Sequence, residues 1–259
     1  NHFIVIFSQL YRLFQHHLII PTFSFCQNGS FVIYASEMID VKTGKLIEKV
    51  SIEIEDGRIG SIKVNQKKPE EDFIDLEGYT LLPGLIDCHT HLTSNWYLGY
   101  PEFDEYSLPA AAYGILGTVN AKKTLEAGFT TVRDVHSNFY SDLALRDAIK
   151  KGWIAGPRMF VTGPGLSITG GHGALGNWLS PQIQFKDNPG SVADGTEEVR
   201  KETREHLRLN VDWIKLFATG GFGSYGTIPG ASSYSIEEMK VAVQEASNLG
   251  IPVAAHAHG

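Results

Sequence analysis

The chain shows two kinds of hydrophobic pattern, one after the other. From residue 31 to 82, apolar and polar residues alternate in short runs separated by turn residues, as is typical of β-strands. Asp56-Gly57 is a strong hairpin dipeptide, and Thr43-Gly44 marks a second turn. The pattern predicts a small antiparallel sheet within residues 28–82, ahead of the main domain.

From residue 81 onward the pattern alternates between strands and helices. The predicted strands span 85–92, 130–135, 158–162, 213–218 and 251–257, and the predicted helices span 108–127, 143–151, 197–209 and 237–249. Ser235 with Glu238, and Asp194 with Glu197, predict a capping box at each of the last two helices. Repeated strand–helix units predict a parallel sheet, either open or closed into a barrel.

Residues 83–259 contain about five such units. A closed (β/α)₈ barrel has eight units and typically about 250 residues for the barrel alone. We therefore expect an α/β fold, namely a partial TIM barrel preceded by the small β domain, and we interpret the sequence as an N-terminal fragment.

Composition narrows the choice of partners and metal ligands. The 259 residues are 42% hydrophobic and carry a formal net charge of −7, which is ordinary for a globular protein. Basic residues form no long run, so a nucleic-acid partner is not expected. Cys26 and Cys88 are the two cysteines, so a four-cysteine zinc site is excluded. Any metal site must be built from nitrogen and oxygen ligands.

The first 27 residues are apolar and aromatic, and two interpretations remain open. They could be a secretory signal peptide cleaved before Gln27, or a non-native leader from translated upstream sequence. The first would make the protein secreted or periplasmic, and the second would leave it cytoplasmic. Pro21 and the pair His16-His17 shorten the apolar run below about 20 residues, so no stable membrane span is expected.

Two histidine pairs stand at the ends of predicted strands. Side chains alternate along a strand, so His89 and His91 share one face, together with Asp87. A single buried histidine could simply bind a carbonyl, but two on one face favour a metal site. His256 and His258 repeat this spacing, and a packing role stays open for His258.

Lys215 occupies a strand in the sequence VDWIKLFATGG, on the same predicted face as Trp213 and Phe217. A buried lysine must lose its charge or bind an anion. The alternative is an exposed lysine at a sheet edge. In the sequence TTVRDV, Arg133 and Asp134 point to opposite faces, and we interpret them as a structural ion pair or strand-end contact.

Two glycine-rich loops follow predicted strands. GPGLSITGGHG contains His172, which could reach a substrate, although a purely structural loop is an equal alternative. GFGSYG, at 221–226, has the spacing of a dinucleotide-binding fingerprint, but that motif requires a helix to begin there. The next predicted helix begins only near Ser235, so we interpret the segment as a loop and expect no NAD.

Five motifs together resemble a known family. LLPGLIDCHTHL, AGFTTVRDV, GPRMFVTGPGLSITGGHG, DWIKLFATGG and PVAAHAHG resemble, in order and spacing, the metal-dependent amidohydrolase superfamily. The branch they resemble includes imidazolonepropionase-like and Xaa-Pro dipeptidase-like enzymes. The similarity covers about residues 30–259.

This resemblance implies a (β/α)₈ barrel beside a small β-sandwich and a site for two divalent ions, usually zinc. His89 and His91 would bind the more buried ion, and His256 the second. Lys215 would be carboxylated by CO₂ and bridge both ions. His172 matches a histidine that contacts the substrate's carboxylate in some members.

The resemblance also implies a histidine on strand six and a general-base aspartate on strand eight, which this sequence does not reach. We therefore expect no catalytic base within the chain and an inactive chain as given. The full-length form would release a C-terminal amino acid from dipeptides or N-acyl amino acids. A cyclic amidase or lactonase, a deaminase and a non-catalytic scaffold remain alternatives, and a homo-oligomer is possible.

Overall fold

The computed structural model describes residues 2–5, 30–70, 73–94, 108–177, 179–180, 182 and 190–258. The two interpretations of residues 1–27 concern a segment that lies, apart from residues 2–5, outside the described residues. Within the described part of the chain, no helix combines the length and apolar character that a membrane crossing needs.

A first compact unit contains residues 1–85 and 125–130. Its strands are β1 (His2–Val5), β2 (Ser30–Ile39), β3 (Leu46–Glu55), β4 (Arg58–Lys63) and β5 (Phe73–Leu82). The predicted hairpin is confirmed, because Asp56 and Gly57 join β3 to β4 with φ angles of 49° and 73°. Two successive positive φ angles are the requirement of a tight hairpin turn whose twist matches the strands.

The sheet of this unit is mixed, in the order β1-β5-β2-β3-β4. Strands β2, β3 and β4 pair antiparallel, but β5 runs parallel to β2, and β1 runs parallel to β5. The expectation of an antiparallel sheet was wrong for these two pairings. The alternating pattern of a strand is the same in either direction, and hairpin dipeptides report only neighbours in sequence. Ile33, Ile52 and Leu76 are buried at its core.

A second compact unit contains residues 86–124 and 131–259. The elements that lie wholly or mostly in it are β6 (Leu85–Thr90), α1 (Ala110–Glu126), β7 (Phe129–Asp134), α2 (Ser141–Lys150), β8 (Arg158–Val161), β9 (Leu166–Ser167), β10 (Ser191–Val192), α3 (Gly195–Arg208), β11 (Ile214–Phe217), α4 (Ile236–Ser247) and β12 (Val253–His256). Every predicted strand and helix boundary lies within two residues of these bounds. The two-residue strands β9 and β10 were not predicted.

The strands of the second unit form two groups, β6-β7-β8 and β10-β9-β11-β12. β7 runs parallel to β8, β9 runs parallel to β10 and β11, and β11 runs parallel to β12. Val132, Val161, Leu166 and Ile214 lie fully buried beneath the helices. The parallel strand–helix architecture is therefore confirmed as an α/β fold that contains part of a barrel.

The two predicted capping boxes had different outcomes. At α4, the Ser235 hydroxyl accepts from the backbone N–H of Glu238, whose carboxylate accepts from that of Ser235, so this box is confirmed. At α3, the predicted box of Asp194 and Glu197 was wrong. The Asp194 carboxylate instead accepts from the backbone N–H and the hydroxyl of Thr169, at 3.0 and 2.6 Å. The Asp194 carboxylate binds Thr169, which is distant in sequence, and so does not cap the helix.

We expect Ser235→Ala to lower the free energy of unfolding by about 1 kcal/mol, because it leaves a helix N-terminal N–H without its acceptor. Urea denaturation measures the change. Ser247→Ala in the last turn of α4 is the control, since the Ser247 hydroxyl bonds only a carbonyl of its own helix. Equal losses in the two variants would contradict the capping role.

Candidate functional site

A cavity of about 70 Å³ lies within the second unit. All five residues predicted to bind a metal or substrate line it, together with an unpredicted histidine, His136. The predicted residues are His89, His91, His172, Lys215 and His256. The fold therefore brings together, at one cavity, the side chains that the sequence pattern had singled out.

The first histidine pair enters the cavity from the end of β6. The rings of His89 and His91 have centroids 5.2 Å apart, whereas the intervening Thr90 faces the buried Asp134. The predicted alternation of the strand is thus confirmed. Asp87 does not line the cavity. Its carboxylate instead accepts a hydrogen bond from the backbone N–H of His89 at 2.9 Å.

The hydrogen-bond partner of His91 Nδ1 determines the tautomer of its ring. Its Nδ1 lies 3.2 Å from the carbonyl oxygen of His136, so Nδ1 must donate and Nε2 keeps its lone pair. Burial lowers the pKa of His91 to about 4 and also lowers the pKa of His89. Neutral imidazoles are the form that binds metal ions.

Lys215 is buried in β11, with 2% of its surface exposed. The alternative of an exposed sheet-edge lysine was therefore wrong. Its Nζ lies 5.4 Å from the centre of the Phe217 ring, and no carboxylate pairs with it in the described part of the chain. Burial, with a smaller contribution from Arg133, lowers the pKa of Lys215 to about 8. The site thus holds a buried amine without an anion.

His172 and His256 also line the cavity, with ring centroids 4.3 Å apart. The Nδ1 of His172 bonds Oγ of Ser224 at 2.6 Å, which ties it to the segment 221–226. A Cβ on Gly221 would lie 2.5 Å from Nε2 of His172, so only glycine allows this approach. The glycines of GFGSYG therefore serve a loop, as predicted, and α4 begins ten residues later.

His256 has a polar atom without a partner. Its Nε2 is buried and has no hydrogen-bond partner among the described residues. Burial lowers the pKa of His256 to about 4, and His172 and Lys215 lower it further. His258 differs, because it is exposed, its N–H donates to Thr219, and it does not line the cavity. Only one histidine of the second pair belongs to the site.

Sequence reasoning missed His136, which follows β7 by two residues. Its ring lies between those of His91 and Phe217, at centroid distances of 6.1 and 5.4 Å. Burial lowers the pKa of His136 to about 3. Its position in the sequence could have identified it as a site residue, because it follows a predicted parallel strand as the other site histidines do.

The interpretation of Arg133 and Asp134 as strand-end contacts is confirmed. The Arg133 Nε donates to the Cys88 carbonyl at 2.8 Å, and its guanidinium lies 4.4 Å from the centre of the Trp213 ring. The buried Asp134 carboxylate accepts from the backbone N–H of Leu92 at 2.6 Å. Neither residue lines the cavity.

A second buried carboxylate, Asp142 in the first turn of α2, was also missed. Its Oδ1 accepts from the Ser137 hydroxyl at 2.5 Å, and its Oδ2 accepts from the backbone N–H groups of Thr162 and Gly163 at 3.2 and 2.8 Å. Ser137 lines the cavity. Asp142 therefore connects the segments that follow β7 and β8, and burial raises its pKa.

The family model described as "Amidohydrolase family" matches residues 80–259, which include every one of these cavity residues. This match spans more than half of the sequence. The chain belongs to the amidohydrolase family.

Two relatives illustrate what this amidohydrolase resembles. Ochratoxinase of Aspergillus niger is 33% identical over 193 residues, covering 69% of this chain and 39% of the relative. A solved structure of a Xaa-Pro dipeptidase with bound methionine is 32% identical, with a TM-score of 0.80, over 89% of this chain and 57% of that one.

Similarity extends to other activities over shorter stretches. Imidazolonepropionase of Klebsiella pneumoniae is 36% identical over 84 residues, which are 30% of this chain. The chain spans about two fifths of the length of the ochratoxinase and somewhat more than half of the dipeptidase.

Amidohydrolases are generally metal-dependent, and the donors of this cavity fit a divalent ion in their chemistry. Three nitrogens lie at one cavity: Nε2 of His256 and the amine of Lys215, which have no partner among the described residues, and Nε2 of His91, which carries a lone pair. In the described ranges, however, no three His, Cys, Asp or Glu side chains stand close enough together to hold an ion. The donors are thus gathered but not in coordinating positions.

We expect Asp142→Asn to lower the free energy of unfolding by about 2 kcal/mol or more, because an amide NH₂ cannot accept from the surrounding N–H groups. Either orientation of the amide leaves a buried donor unpaired. Asp147→Asn on the same helix is the matched control, since Asp147 is half exposed and its partner is the neighbouring Arg146. Urea denaturation that shows equal losses would contradict the role assigned to Asp142.

Proposed function

We propose that the full-length protein is a metal-dependent hydrolase of amide bonds. It would release a C-terminal amino acid from dipeptides or N-acyl amino acids. The single observation that carries this proposal is the cavity in which histidines from several strand ends face a buried, unpaired lysine amine. A structural role does not require so many buried ionisable groups at one place.

His89, His91, His256 and Lys215 would hold two divalent ions, for which zinc suits the imidazole donors. Such ions polarise a carbonyl and lower the pKa of water, so that hydrolysis proceeds near neutral pH. The protein's own contribution is to keep the imidazoles neutral by burial and to orient them. The bond from His91 Nδ1 to the His136 carbonyl performs that orientation, as is usual for metal-binding histidines.

Carboxylation of Lys215 would remove the problem of its buried charge. The neutral amine attacks CO₂, an N–C bond forms, one C–O π bond becomes the carboxylate, and the amine releases a proton to solvent. The product is a carbamate anion in place of a cation. An anion there would balance divalent ions, which an unpaired ammonium would repel.

Relatives support the choice of substrate class. The names of the Aspergillus ochratoxinase and of the Xaa-Pro dipeptidase with bound methionine refer to hydrolysis of a toxin and of dipeptides. A further neighbour, 28% identical, is a prolidase complexed with N-methylphosphonate-L-proline. We propose that His172, which lines the same cavity, contacts the substrate's carboxylate.

We propose that the general base does not belong to the described lining of the cavity. Among the described residues, the cavity lining contains no Asp or Glu. A general base must come within hydrogen-bond reach of the attacking water. We therefore propose that residues 1–259 alone do not turn over an amide, whereas the full-length protein does.

The test uses the full-length protein, N-acetyl amino acids and Xaa-Pro dipeptides. We expect about two zinc ions per chain and hydrolysis of these substrates. Lys215→Ala should lower kcat/KM by at least about 100-fold, the scale of removing one electrostatic contributor. Added propionate should restore part of the activity, because it can occupy the vacated space as a carboxylate.

Lys215→Met is the matched control, because it removes the amine but fills the space, so propionate should not restore activity. Absence of bound metal in the full-length protein would favour the scaffold alternative. Metal binding with turnover only of cyclic amides, lactones or amino-substituted rings would favour the cyclic amidase, lactonase or deaminase alternatives, for which the imidazolonepropionase similarity is the supporting observation.

A further inference from the structure

His136 lines the same cavity as the proposed metal ligands, but its hydrogen bonding differs from theirs. The backbone N–H of Gly165 donates to Nδ1 of His136 at 2.9 Å. A ring nitrogen that accepts a hydrogen bond carries no proton, and a protonated imidazole has two donors. The ring is therefore neutral and carries its proton on Nε2.

The backbone at Gly165 and the ring of Phe217 together fix the position of the His136 ring. A Cβ on Gly165 would lie 2.4 Å from Cε2 of Phe217 and 3.0 Å from Cγ of Lys215, so only glycine lets this N–H reach His136. The Phe217 ring packs edge-on against that of His136, with an interplanar angle of 82°. The imidazole is thus fixed both in its tautomer and in its orientation.

His91 is in the opposite tautomer, although its ring centroid lies only 6.1 Å away. It donates from Nδ1 to the His136 carbonyl, which leaves a lone pair on Nε2. The Nε2 of His136 carries a hydrogen instead and has no hydrogen-bond partner in the part of the chain that the structure describes. The two neighbouring imidazoles therefore carry their protons on different ring nitrogens.

We propose that His136 is a substrate-binding hydrogen-bond donor, whose Nε2–H binds the oxygen of the scissile acyl group, and that it is not a metal ligand. This inference rests on the amide hydrolysis proposed above. As water adds to the carbonyl carbon, the π electron pair moves to oxygen, which gains negative charge. A pre-oriented N–H stabilises that charge more than the neutral carbonyl, and the proton stays on His136.

Two substitutions separate this role from a structural one. The side-chain oxygen of His136→Asn can replace Nδ1 as the acceptor for Gly165, but Asn has no donor at the position of Nε2. The longer side chain of His136→Gln places an amide N–H near the position of Nε2. We expect His136→Asn in the full-length protein to lower kcat/KM about 100-fold with unchanged zinc content, and His136→Gln to retain most of the activity.

Two further measurements do not depend on turnover. Binding of N-methylphosphonyl-L-proline, measured by calorimetry, should weaken about tenfold or more in His136→Asn and little in His136→Gln. In ¹⁵N-histidine-labelled protein, the resonance missing from His136→Asn should show a proton on Nε2 and none on Nδ1. Addition of the phosphonate should shift that Nε2–H resonance.

Several results would overturn the proposal. Loss of a zinc equivalent in His136→Asn would make His136 a ligand, and full activity with full phosphonate affinity would make it purely structural. If the wild-type protein binds no metal and cleaves no amide, the hydrolase function fails separately. The ¹⁵N measurement then decides the donor role alone, because an unshifted Nε2–H would refute it. If the variants fail to fold, the His136 resonance is assigned from its contact with the Phe217 ring instead.

Discussion

Parallel strand pairing is the constraint on which the cavity depends. β11 and β12 pair so that Lys215 lies opposite Ala254 and Phe217 lies opposite His256. Parallel strands end at the same edge, so a side chain near the end of one strand meets those near the end of the next. The rings of Phe217 and His256, which this register places side by side, have centroids 5.8 Å apart. A shift of register by one residue would send these side chains to opposite faces.

The buried charged groups of the second unit differ in how they are compensated. Asp142 and the Oδ2 atom of Asp134 accept hydrogen bonds from backbone N–H groups, and these bonds hold the segments that follow β6, β7 and β8. Lys215 and Nε2 of His256 have no such partner in the described ranges. A buried polar group without a hydrogen-bond partner lowers the stability of the folded protein. Two such groups at one cavity indicate that a bound ligand supplies their partners. The carboxylates hold the segments around the cavity in place, and the unpaired nitrogens are the groups that can bind a ligand.

Much of this arrangement could be predicted from periodicity. The alternation of a strand placed His89 and His91 on one side, and the burial of Lys215 followed from its apolar neighbours Ile214 and Leu216. The same reasoning could not find the parallel pairing of β5 with β2, because alternation does not carry strand direction. It also assigned Asp194 to a helix cap, although Thr169, twenty-five residues earlier, takes that carboxylate. The errors lie where a contact distant in sequence decides between two locally acceptable outcomes.

His136 shows why such contacts matter more for function than for fold. Its position after a strand could have been noticed in the sequence, but its protonated nitrogen is determined by Gly165, twenty-nine residues away. A second imidazole of the same chemical type, His91, has the opposite tautomer because its Nδ1 meets a carbonyl instead of an N–H. Residue type alone therefore cannot distinguish a metal ligand from a hydrogen-bond donor. The distinction depends on the second nitrogen of each ring, and only the folded backbone specifies its partner.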